Sequence, residues 1–139
     1  MLAKEHRKDF LLGGHAIFTV TNPVGEYYTY RINAVEGNDK RTRYFVALLT
    51  GPDNTSDYTY LGALNSLEGA VVLTKASKYK ADSKPFRVVN WLVGLIWEGK
   101  DLPPGYSIAH IGRCAACGRP LTTPDSLESG FGPICREKI

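Results

Sequence analysis

The chain has 139 residues, 43% of them hydrophobic and 22% charged, and a formal net charge of +3. That length and apolar share suit one ordinary domain with a real core and argue against general disorder. The charge surplus is mild, so nucleic acid is permitted as a partner but not specified.

Residues 1–9 are charged and contain no apolar core of signal-peptide length. The longest apolar stretch, residues 88–97, is interrupted by Asn90 and is too short to span a bilayer. With an odd cysteine count and no signal, a cytoplasmic, membrane-free protein is expected, its cysteines serving as metal ligands rather than disulfides.

Strand patterns begin at residues 16–21 (AIFTVT), β-branched and aromatic, and closed by the turn residues Asn22-Pro23-Val24-Gly25. Residues 27–35 (YYTYRINAV) alternate, which sets Tyr28, Tyr30, Ile32 and Ala34 on one face and Tyr27, Thr29, Arg31 and Asn33 on the other. A turn over residues 36–40 leads to residues 43–49 (RYFVALL), apolar on both faces and so expected to be central. Two shorter strands follow over residues 58–64 and 70–74. Short polar turns between consecutive strands predict an antiparallel meander that needs a cover on one face.

The run from Phe86 to Trp97 provides the cover. Ser83 suits a helix N-cap and Pro85 the first turn, where a missing amide proton costs nothing. The helix is apolar nearly all round, which predicts deep burial, and Gly99 can end it in a left-handed cap. Leu102-Pro103-Pro104-Gly105 cannot continue it. The expected class is therefore α+β: a core domain over residues 1–101, an antiparallel β meander covered by one buried helix, followed by a small zinc-finger-like module over residues 102–139.

All three cysteines lie in that module, as Cys114-Ala-Ala-Cys117-Gly and, seventeen residues later, Cys135. Two thiolates on so short a loop can converge on one ion, and a closed structural zinc site needs four ligands. Lys138 stands where the common ribbon spacing would place a fourth cysteine. His110, four residues before Cys114, is the leading candidate, with Asp125, Glu128, Glu137 and His15 as alternatives. A redox dithiol at Cys114 and Cys117 competes, but it would leave Cys135 unexplained.

Arg113, Arg119, Arg136 and Lys138 surround these cysteines, either balancing the anionic thiolate centre or facing phosphate. A second basic cluster comprises Lys75, Lys78, Lys80, Lys84 and Arg87 with Tyr79 among them. It could track a phosphate backbone while the ring stacks on a base, or serve as a solvated connection into the helix. Tyr27, Tyr28, Tyr30, Tyr44, Tyr58 and Tyr60 all fall in strand patterns, as packing residues or as a stacking platform. No nucleophile constellation and no phosphate loop ending in Gly-Lys-Ser or Gly-Lys-Thr is present, so an enzyme is not expected.

The stretch CAACGRPLTTPDSLESGFGPIC resembles a module, Cys-x2-Cys-Gly-Arg-x-Leu-Thr-x-Pro-x-Ser followed by Gly-x-Gly-Pro-x-Cys, of uncharacterised proteins encoded by bacteriophages and prophages. The segment LLTGPDNTSDYTYLGAL is similar to the sheet region that precedes it in some of them. The resemblance implies a metal-binding role with Cys114, Cys117 and Cys135 as ligands, and a setting in the host cytoplasm. Taken together, the expectation is a non-enzymatic zinc-binding phage protein. It would contact nucleic acid through Lys75, Lys78, Lys80, Arg113 and Arg119, with no small-molecule substrate. The alternative is an adaptor or inhibitor of a host enzyme or defence complex, anchored by aromatic residues such as Tyr58 and Tyr60.

Overall fold

Alternation of apolar side chains along five consecutive segments is satisfied when each pairs with the next and one shared face is sealed from water. The computed structural model, which describes residues 6–52, 56–110 and 115, shows this arrangement. The strands are β1 (His15–Thr21), β2 (Tyr27–Glu36), β3 (Thr42–Leu49), β4 (Tyr58–Asn65) and β5 (Ala70–Val72). A helix, α2 (Lys84–Trp97), follows, preceded at the start of the chain by the short α1 (Arg7–Leu11). A sixth strand, β6 (Ser107–His110), pairs antiparallel with β1, so the sheet order is β5-β4-β3-β2-β1-β6. Every pairing is antiparallel, and β3 is interior as its two apolar faces imply. The α+β class is thus observed. The segment 107–110, expected within the C-terminal module, is an edge strand of the core sheet.

The core lies between the sheet and its helices. Register aligns Val20, Phe18 and Ala16 with Tyr28, Tyr30 and Ile32, and these with Leu48 and Val46 on β3. Phe10, Leu11, Phe86, Val89, Leu92, Val93 and Ile96 close over them and are buried. Tyr30 is fully buried, and its hydroxyl donates to the Pro85 carbonyl at 2.7 Å. Burial, with Tyr28 and Tyr79 nearby, pushes its phenol far above the ordinary range.

Helix α2 starts beside the β1–β2 turn, where Lys84 lies 3.4 Å from Glu26, and ends beside the β4–β5 turn. There the Trp97 indole donates to the Ser66 carbonyl at 2.7 Å. Gly69 permits that packing: its φ is +72°, and a Cβ would fall 2.4 Å from Trp97. Asn90, the polar interruption in the apolar run, has a specific use. Its Oδ1 accepts the outward Val71 amide at 2.9 Å and so occupies the edge of β5. Gly99 (φ +72°) ends the helix as expected, its amide donating to Ile96 and that of Lys100 to Leu95, a Schellman arrangement.

Two expectations are corrected. Ser83 occupies the N-cap position, but its hydroxyl donates backward to Lys80 at 2.6 Å instead of accepting a helix amide. The helix is not buried all round either: Trp91 is exposed and Val88 and Leu95 are half-buried. Among the described residues no helix is long and apolar enough to cross a membrane.

Candidate nucleic-acid interface and metal centre

The sheet face away from the helices decides which tyrosines are available. Tyr28, Tyr30 and Tyr44 belong to the covered side, whereas Tyr27, Tyr58 and Tyr60 stand on the open one. For β4 the cause is a β-bulge. Gly62 pairs with Val46 and Tyr60 with Ala47, so Leu61 is the inserted residue. Simple alternation would have grouped Tyr58 and Tyr60 with Leu64. The extra residue instead sends Leu61 into the core, fully buried, and turns both tyrosines outward.

Around them the open face is aromatic and cationic. Phe45 meets Tyr60 edge-on, with centroids 6.0 Å apart and rings at 62°, and the Arg31 guanidinium lies 4.5 Å from the Tyr58 ring centre. Such rings expose π-faces of the kind on which unpaired bases stack. The sequence had set Arg31 opposite the core, but Phe45 as a neighbour of Tyr60 depends on strand register and could not be read.

Residues 73–83 bring the lysines alongside. The Lys78 amide donates to the Tyr60 carbonyl at 3.3 Å, and the Tyr60 hydroxyl shares a hydrogen bond with Thr74 Oγ1 at 3.0 Å. The Thr74 amide bonds the Ser77 hydroxyl at 2.8 Å, which tightens the turn between Lys75 and Lys78. Lys75, Lys78 and Lys80 are exposed and have no acidic partner among the described residues. Tyr79 is not their stacking companion: it packs against the core beside Thr59, and burial raises its phenol. Lys84 pairs with Glu26, whose carboxyl the Asn22 side chain and Lys84 hold below the usual range.

His110, the proposed fourth zinc ligand, ends β6 opposite Phe18 on the covered side, and its ring sits 5.7 Å from that of Phe10. His15, an alternative, is exposed at the start of β1, opposite Asn33 on the open side. Its amide donates to the carbonyl of Ala115, a fully buried residue. Cys114, Cys117, Cys135, Arg113 and Arg119 lie outside the described residues, as do Asp125, Glu128 and Glu137. No group of three or more His, Cys, Asp or Glu able to hold a metal occurs among the described residues. The sheet separates the two candidate regions: the lysine segment follows β5 and His110 ends β6, at opposite edges. Five strand spacings amount to about 24 Å.

Residues 108–139 are similar to a family of unknown function (DUF6011). The similarity begins inside β6, so it takes in the last three residues of the sheet as well as the cysteine segment. No curated protein and no solved structure matches the chain.

Proposed function

We propose that the protein is a non-enzymatic, phage-type nucleic-acid-binding protein that holds one structural zinc ion near its C-terminus and grips single-stranded nucleic acid on the open face of its sheet. The observation that carries the reading is the double hydrogen-bond tie between Tyr60 and the lysine segment. It brings a stacking ring beside a segment whose Lys75, Lys78 and Lys80 have no acidic partner among the described residues. Tyr58 and Tyr60 take bases, Lys75, Lys78 and Lys80 take phosphates, and Arg31 stiffens the platform through its contact with Tyr58. Unpaired strands are preferred because duplex bases offer no free ring face.

Zinc has a separate, structural part. The sequence chemistry that supports it is the Cys114–Cys117 spacing with Cys135 as third thiolate, and His110 is the fourth ligand in this reading. The ion would lock the cysteine segment against the β1 edge, where the Ala115 carbonyl already meets the His15 amide. One zinc per chain is expected by elemental analysis. Replacing Cys114 or Cys135 with serine should abolish its retention.

Anisotropy of labelled single- and double-stranded DNA and RNA at rising salt tests the interface. Single strands should bind more tightly, with affinity falling steeply as salt rises. An absent or salt-insensitive shift with every probe would overturn the reading. Retention of a host protein that is lost in Tyr58→Ala and Tyr60→Ala would then favour the adaptor alternative.

A further inference from the structure

On the far side of the molecule from the tyrosine face, α2 carries a second aromatic and cationic site. Lys84, Arg87, Val88 and Trp91 recur at i, i+3, i+4 and i+7, which stacks them as one stripe on the surface opposite the buried Phe86, Val89, Val93 and Ile96. Tyr106, delivered by the Pro103-Pro104-Gly105 turn, completes a shallow groove of about 460 Å³ with them. Its ring lies 5.1 Å from that of Trp91 at 55°. That size falls within the range of small-ligand sites.

The helix's other tryptophan provides the contrast. The Trp97 indole is fixed by the Ser66 carbonyl and flanked by Lys8 at 5.2 Å. Trp91 is 36% exposed, and its indole has no hydrogen-bond partner among the described residues. The groove therefore offers a π-face, a free N–H donor and a guanidinium. Lys84 is partly neutralised by Glu26, which leaves Arg87 as the cation without an acidic partner among the described residues.

We propose that this groove receives one unpaired nucleobase of a bound strand, stacked on Trp91 beside Tyr106, with its phosphate on Arg87. The inference rests on the nucleic-acid reading above and extends it. Lys75, Lys78, Lys80, Lys84 and Arg87, interrupted by Asp82, follow one another from the segment tied to Tyr60 into the start of α2, the route by which a strand leaving the tyrosine face would reach the groove. The footprint is then longer than the sheet face alone would give.

The test follows the two indole N–H resonances of the full chain by NMR, assigned through Trp91→Phe, during titration with oligothymidylates of increasing length. The Trp91 signal should shift while that of Trp97 stays. Affinity should rise with length until strands are long enough to reach the groove. Trp91→Ala and Arg87→Glu should each cost about tenfold in affinity for long strands and little for short ones. Binding that leaves Trp91 unmoved, or is indifferent to both variants, overturns the groove proposal while the sheet interface stands. A Trp91 shift with unchanged binding by Tyr58→Ala and Tyr60→Ala keeps the groove and removes the sheet-face reading. No binding at any length overturns both.

Discussion

The two faces of the sheet are written by alternate residues of the same strands, yet their aromatic side chains have opposite fates. On the covered face Phe18 and Tyr30 lose all contact with water, and the Tyr30 hydroxyl is matched to a carbonyl. On the open face Phe45, Tyr58 and Tyr60 stay half-exposed, held by each other, by Arg31 and by hydrogen bonds to the lysine segment. Identical residue types therefore serve stability on one side and, in the proposed function, recognition on the other. What distinguishes them is register, not composition.

Breaking the covered face should give the largest change. Leu92→Ala removes a fully buried side chain and is expected to cost about 2–5 kcal/mol in denaturant unfolding, with oligonucleotide affinity of the folded protein unaltered. On the open face, Tyr58→Ala and Tyr60→Ala should each weaken single-strand binding by about 1–3 kcal/mol by anisotropy, while the unfolding midpoint moves little. Changing Lys75, Lys78 and Lys80 together to alanine should flatten the slope of log affinity against log salt by about 2, with no base preference altered.

The smallest effect sharpens the comparison through pH. Tyr30 stays protonated in the folded state well beyond the ordinary phenol value of about 10, whereas the unfolded chain releases that proton there. The unfolded state then binds fewer protons, so stability contributed by Tyr30 is complete below pH ~10 and declines above it. Tyr30→Phe should lose about 1 kcal/mol near neutrality and show a shallower alkaline decline, read from unfolding curves across pH 8–11. A decline as steep as that of the parent would mean that other phenols, Tyr79 among them, carry it.

Much of this was legible beforehand. The turn at residues 22–25, the alternation over residues 27–35 and the Gly99 cap follow from local chemistry, so β1, β2 and α2 were recognisable without tertiary knowledge. The face of Tyr58 and Tyr60 was not. It depends on a single unpaired residue, Leu61, and a bulge leaves no mark in the alternation of YTYLGAL. The short α1 was also hidden, since its five residues show too little periodicity to separate from a charged tail. Asn90 read as a flaw in an apolar helix until its partner, the edge amide of Val71, was in view. The groove at Trp91 was missed for a related reason: a helix rich in apolar residues implies burial on every side, and only the packing against the sheet shows which residues are left exposed.

The position of β6 ties the two ends of the fold together. Four residues arriving after α2 pair with the Phe18–Thr21 half of β1, whose sequence HAIFTVT is β-branched, aromatic and nearly uncharged. Were that strap released, Phe18–Thr21 would present a bare row of amides and carbonyls to its surroundings. Secure fastening of the strap thus guards against chains adding to one another strand by strand, a safeguard that any shortened version ending before Ser107 would forfeit.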